Sequence, residues 1–220
     1  KRWRIFTGGS ISTTRKISGA IPFLQNDMDT GTIREFVEDI GNEADRLTRM
    51  SQKLLSLTKM DAGKEADREV ADIAETTDHV LRMLAPVARL NGITLENCTS
   101  PGATILMIED DLYQILFNLV ENAVKYGPDG GQTRLCAELN GADIVITVAN
   151  QGPCIPPELR ERIFEPFFRA DTARSRELGG VGLGLALVRA IAEIHGGSVW
   201  VEENQAGWNR FLVRLPAVCL

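Results

Sequence analysis

At 220 residues the chain has room for one large domain, or for one ordinary domain and a smaller element. Its 44% hydrophobic and 25% charged content is that of a soluble globular protein. A net charge of -6 argues against a nucleic-acid surface, which needs a clustered basic face. Cys98, Cys136, Cys154 and Cys219 form no Cys-x-x-Cys pair, so free thiols in a reducing compartment are expected rather than a disulfide framework or a zinc site. No run approaches the roughly 18 apolar residues that span a bilayer. Any membrane anchor is expected upstream of Lys1, and Lys1, Arg2 and Arg4 read either as a solvated terminus or as a segment just inside a membrane.

In chain order, Ile17, Ile21, Leu24 and Met28 repeat at spacings of four, three and four, a short helix interrupted by Pro22. Asp29-Thr-Gly-Thr32 supplies a turn and an N-cap. A long helix follows from Thr32 to about Asp61, with Ile33, Val37, Ile40, Ala44, Leu47, Ser51 and Leu54 in a sustained heptad. Residues 1–66 therefore read as a helical hairpin too thin to bury both faces. Pairing with a second copy into a four-helix bundle is one remedy, and packing on its own chain is the other.

Residues 67–220 have a mixed pattern. A helix is predicted over Ala71–Leu90, then strands near Ile93–Glu96 and Thr104–Ile108, and a helix from Asp110 to Tyr126 stopped by Gly127-Pro-Asp-Gly-Gly131. A hairpin of Thr133–Leu139 and Asp143–Ala149 turns at Asn140-Gly141. A short helix from Pro157, an irregular stretch over Phe168–Gly180 and a helix over Gly182–His195 come next. A hairpin of Ser198–Glu202 and Arg210–Leu215 closes the chain. The fold class expected is α+β, a sandwich with helices on one face of a mixed sheet.

Asn118, Asn122 and Lys125 fall at i, i+4 and i+7 and share one helix face. Two asparagines on an otherwise apolar face are costly unless they find partners. An amide oxygen can ligate a hard cation such as Mg²⁺, and a lysine one turn on can meet phosphate; buried asparagines also cap and bridge loops. In Gly179-Gly-Val-Gly-Leu-Gly-Leu-Ala-Leu187, glycines open a helix and let backbone N–H groups approach an anion. By itself that run also fits a flexible turn.

Together these residues resemble the catalytic domain of sensor histidine kinases, within the wider gyrase, chaperone, kinase and mismatch-repair ATPase superfamily. Asn118-Leu-Val-Glu-Asn-Ala-Val-Lys-Tyr126 looks like that family's N box, Ile163-Phe-Glu-Pro-Phe-Phe-Arg169 like its F box and Gly180-Val-Gly-Leu-Gly-Leu185 like its G2 box. Ile191-Ala-Glu-Ile-His-Gly-Gly197 and Phe211-Leu-Val-Arg-Leu-Pro216 also match, and Leu54-Leu-Ser-Leu-Thr-Lys-Met-Asp-Ala-Gly63 resembles the end of the family's dimerisation helix. The resemblance implies ATP and Mg²⁺ as cofactors. It implies Asn122 as the metal ligand, Asn118, Lys125 and Arg169 as the catalytic set, and Tyr126 lining the nucleotide. Phe164 and Phe167 would pack the base of a lid over Phe168–Gly180. Gly180, Gly182, Leu183 and Gly184 would let that lid close on the triphosphate. It further implies a homodimer, a response regulator as partner, no nucleic acid, and the cytoplasmic portion of a membrane-anchored sensor. His195 reads as structural.

Two departures stand out. Where the family's G1 box has Asp-x-Gly-x-Gly, this chain has Asn150-Gln-Gly-Pro-Cys154, so Asn150, Gly152 and Cys154 would face the base. An amide oxygen in place of a carboxylate forfeits charge assistance, ~1 kcal/mol or more. The second departure is the acceptor. The family's first helix carries Ser-His-Glu-(Leu/Ile)-Arg-Thr-Pro, yet the only histidines here are His79 and His195. Ile11, Ser12 or Ile17 occupies the acceptor position, depending on register. Both a kinase core and a degenerate scaffold without autophosphorylation are therefore expected readings.

Overall fold

In the computed structural model, which describes residues 68–170, 182–205 and 207–217, helix placement follows the apolar spacing. The hairpin expected over residues 1–66 lies outside the described residues, as does Gly180. Strand β1 (Glu69–Asp72) leads into helix α1 (Ile73–Leu90). The expected helix start at Ala71 is thus corrected. Residues 69–72 pair antiparallel with β3 (Thr104–Met107), and Asp72 serves as N-cap, its carboxylate accepting from Glu75 N–H at 3.0 Å. Pro86 is accommodated inside α1 on its exposed side.

Helix α2 (Glu109–Tyr126) buries Leu112, Ile115, Leu116, Leu119, Val120, Ala123 and Val124, the stripe a 3.6-residue repeat presents to a core. Its first turn holds Glu109, Asp110 and Asp111 and its last holds Lys125, both signs matching the helix dipole. Helix α3 (Gly184–Ile194) buries Ala186, Leu187, Val188, Ile191 and Ala192. Between α2 and α3, the short helix expected from Pro157 is two 3₁₀ turns, Pro157–Leu159 and Arg162–Phe164.

Five strands form the main sheet: β2 (Thr94–Asn97), β4 (Gln132–Asn140), β5 (Asp143–Gln151), β6 (Ser198–Gln205) and β7 (Trp208–Pro216). Their order is β2-β4-β5-β7-β6, with β2 parallel to β4 and the other pairs antiparallel. The β4–β5 hairpin turns one residue later than expected, because Asn140 pairs with Asp143 and leaves Gly141, at φ +64°, and Ala142 in the turn. β5 buries Ile144, Ile146 and Val148 beneath the helices, while Arg134–Glu96 and Arg210–Glu202 pair on the opposite, open face. This is the mixed sheet with helices on one face that the pattern predicts.

Candidate functional site

Asn118 sits on α2 among buried apolar neighbours and is itself only 4% exposed. Its Nδ2 donates to the Gln114 carbonyl one turn back, at 2.7 Å. Its Oδ1 lies against the start of α3, where a β-carbon on Gly184 would come within 3.0 Å of it. The residue before Gly184, buried Leu183, gives α3 no side-chain cap, so the first-turn N–H groups keep their capacity to bind an anion. Asn122 and Lys125 follow on α2, both half-buried, with Lys125 Nζ 5.9 Å from the centre of the Tyr126 ring.

Gly182 joins this end to the segment before it. Its carbonyl accepts from Phe167 N–H at 2.8 Å. At φ +74° with the Phe168 carbonyl 2.6 Å from where a β-carbon would stand, only glycine fits. Phe164 is in the core, whereas Phe167 is 49% exposed and itself has φ 65°. The two phenylalanines therefore differ: Phe164 packs and Phe167 hangs outward. Two residues on, Arg169 has Nε and Nη2 buried with no hydrogen-bond partner among the described residues. A guanidinium in that condition fits an anionic ligand.

A second polar group lies at the end of the sheet. The inward alternation Ile144, Ile146, Val148 continues to Asn150, which is buried. Cross-strand register places Thr133 of β4 on one side of Asn150 and Asn209 of β7 on the other, both buried. Asn150 Nδ2 donates to the Gln151 carbonyl at 2.9 Å and Asn209 Nδ2 to the Pro153 carbonyl at 3.0 Å, while Thr133 Oγ1 has no hydrogen-bond partner among the described residues. Gly152 covers the row: a β-carbon there would lie 3.3 Å from Asn150 Nδ2, 3.4 Å from Asn209 Nδ2 and 3.5 Å from the Tyr126 carbonyl. Cys154 is exposed, its thiol directed to the Ile155 carbonyl at 3.7 Å.

Thr133 and Asn209 were not among the residues expected from sequence. Their signal is a polar residue where the alternation of Leu135, Ala137 and of Phe211, Val213, Leu215 calls for an apolar one. His195 has a structural place. Its buried ring bonds Asp111 Oδ2 through Nε2 at 2.9 Å, tying the end of α3 to the first turn of α2. The chemistry available at one locus is a helix N-terminus and the buried Asn118 amide. At the other, donors and acceptors set in an apolar sheet can read the edge of a flat heterocycle.

Residues 107–218, just over half of the chain, match the family described as histidine kinase-, DNA gyrase B- and HSP90-like ATPases. The sensor-like histidine kinase SenX3 of Mycobacterium tuberculosis is 34% identical over 192 residues, covering 86% of this chain and 47% of that protein. The sensor histidine kinase WalK of Bacillus subtilis is 29% identical, over 80% of this chain and 29% of its own. The chain thus spans at most about half the length of these relatives. Among solved structures, the catalytic domain of histidine kinase ThkA superposes with a TM-score of 0.61 at 29% identity, over 68% of this chain and 95% of that one. Full-length ShkA, solved with AMPPNP, superposes with a TM-score of 0.73 at 31% identity, over 89% of this chain and 41% of that one. The chain belongs to the histidine kinase-, DNA gyrase B- and HSP90-like ATPase family and carries an ATP-binding core of the histidine kinase kind.

Proposed function

We propose that the chain is the Mg-ATP-binding core of a sensor histidine kinase serving a two-component pathway. The observation that carries this reading is the contact of Asn118 Oδ1 with Gly184 at the N-terminus of α3, which brings an amide, a helix start and the Gly182–Phe167 link to one place. Asn118, Lys125, Arg169 and the N–H groups after Gly182 and Leu183 hold and orient a triphosphate, with Gly180 and Gly184 giving the backbone room. Asn122 supplies an oxygen to Mg²⁺, which when bound neutralises phosphate charge. Tyr126, Asn150, Gly152, Asn209 and Thr133 take the base, and Cys154 edges that end. Phe164 anchors the segment that leads to Phe167 and the residues beyond it.

Residues 1–66 act as a dimerising hairpin ahead of the ATP-binding domain at 67–220. The chain is the cytoplasmic part of a membrane-anchored homodimer whose phosphoryl group passes to a response regulator. ShkA was solved with AMPPNP, and a solved complex of ThkA contains the response regulator TrrA. A second reading, a nucleotide-binding scaffold without autophosphorylation, is favoured by the histidine count. His195 is buried and bonded to Asp111, and His79 lies on α1. Titration calorimetry of the full chain with Mg-ATP tests both. Saturable heat is expected, and none at millimolar nucleotide would overturn them together. Labelled γ-phosphate then separates the two: transfer to a histidine of an added partner protein supports catalysis, and ATP binding without any transfer supports the scaffold.

A further inference from the structure

On the open face of the sheet, β2 runs parallel to β4 with Glu96 beside Arg134 and Asn97 beside Leu135. Partners in this register touch: the Arg134 Nε donates to the Glu96 carboxylate at 2.8 Å. The ladder continues one residue past β2, where Cys98 N–H donates to the Leu135 carbonyl at 2.7 Å, the bond a parallel neighbour of Cys136 makes. Alternation then brings Cys98 and Cys136 out on the same face as Glu96 and Arg134, two residues along. In this register Cys98 stands beside Cys136, Cys98 exposed and Cys136 half-buried, and both thiols are free.

We propose that Cys98 and Cys136 form a peroxide-reactive dithiol that closes to a disulfide between the edge strand and the body of the sheet. Neighbouring strands stand about 4.8 Å apart, inside the roughly 4.4–6.8 Å Cα range that a disulfide spans. Cys98, the exposed partner, attacks hydrogen peroxide: an S–O bond forms, the O–O bond breaks, and water leaves with the thiol proton. The Cys136 sulfur then attacks the Cys98 sulfur. The S–S bond forms, the S–O bond breaks, and a second water carries off the Cys136 proton. Two thiols give two electrons to one peroxide, which becomes two waters.

The order of attack follows from surroundings. Burial first, then the neighbouring Cys98, then Glu138 and Glu96, push the Cys136 thiol up to about 11. Cys136 is therefore protonated when the oxidant arrives, and Cys98 meets it first. A reducing compartment keeps the pair open until peroxide appears. The segment between the two cysteines contains β3 and α2, so closure tethers the helix that carries Asn118, Asn122 and Lys125.

The test treats the folded full chain with hydrogen peroxide, blocks remaining thiols with iodoacetamide in denaturant and digests for mass spectrometry. The expected product is a Cys98–Cys136 linked peptide, reversed by dithiothreitol, absent from Cys98→Ser and Cys136→Ser and retained in Cys154→Ser and Cys219→Ser. The exposed position of Cys98 makes Cys98→Ser the variant that keeps the fold. Cys98 driven to sulfinic acid with Cys136 still alkylated, links that run to Cys154 or Cys219 instead, or four alkylated thiols after peroxide treatment would each overturn the proposal.

Discussion

Gly184 stands so close to Asn118 that a β-carbon on it would fall 3.0 Å from the Asn118 Oδ1. The first residue of one helix is thereby seated on a buried amide of another. In Gly184→Ala, alanine favours the helix over glycine by ~0.5–1 kcal/mol, so thermal stability should hold within a few degrees. The Asn118 amide must give by a few tenths of an ångström, and nucleotide affinity should fall about tenfold, or ~1.4 kcal/mol. Melting curves and calorimetry on the same variant check both; an unchanged Kd would contradict the role given to Asn118.

Gly182→Ala should act differently, through the backbone. At φ +74° with the Phe168 carbonyl 2.6 Å from the new methyl, the left-handed turn is strained and the Phe167–Gly182 hydrogen bond is put at risk. A loss of ~1–3 kcal/mol is expected. Hydrogen exchange at the Phe167 amide should speed up in the variant, and a protected amide there would refute the account.

Asn150→Asp restores the acid of the family's G1 box, but the present structure uses the amide. Asn150 Nδ2 donates to the Gln151 carbonyl at 2.9 Å, and a carboxylate would face that carbonyl instead. The nucleotide-free variant should lose ~1–3 kcal/mol of stability. Its ATP affinity should rise several-fold through charge assistance, ~1 kcal/mol. Denaturation without ligand and calorimetry with ATP measure the two opposed effects.

His195→Ala removes the ring that joins α3 to Asp111 at 2.9 Å and leaves a cavity beneath it. Destabilisation of ~1–3 kcal/mol is expected, with ATP affinity little changed after correction for the folded fraction. Loss of binding in a variant that remains folded would give His195 a part beyond structure.

The Cys136 thiol is shifted from 9.0 up to about 11, burial being the largest cause. The raised value means the fold favours the neutral thiol. That contribution is fully present below pH 9 and is lost as pH rises to about 11. Iodoacetamide should therefore label Cys136 far more slowly than Cys98 at pH 9, with the difference closing near pH 11. Equal labelling of the two at pH 9 would contradict the shift.

Much of this protein is written in local spacing. The stripe Leu112, Ile115, Leu116, Leu119 places α2 without reference to anything else, and the same repeat puts Asn118, Asn122 and Lys125 on one face. The glycine run before Leu185 marks a helix start for the same reason: a residue's backbone freedom is its own. β1 was not legible, since Val70 and Ala71 become a strand only by pairing with Leu106 and Ile105. Cys98 and Cys136, too, meet only because β2 runs parallel to β4. The base end of the site shows the division most clearly. The departure at Asn150 is plain in the sequence, yet its neighbours Thr133 and Asn209 come from strands far away in the chain. The sequence by itself determined the main helices and which helix face carries amides and a lysine, because those repeats span only a few residues. Tertiary structure alone decided which polar groups stand side by side, because strand register is set by burying one shared core.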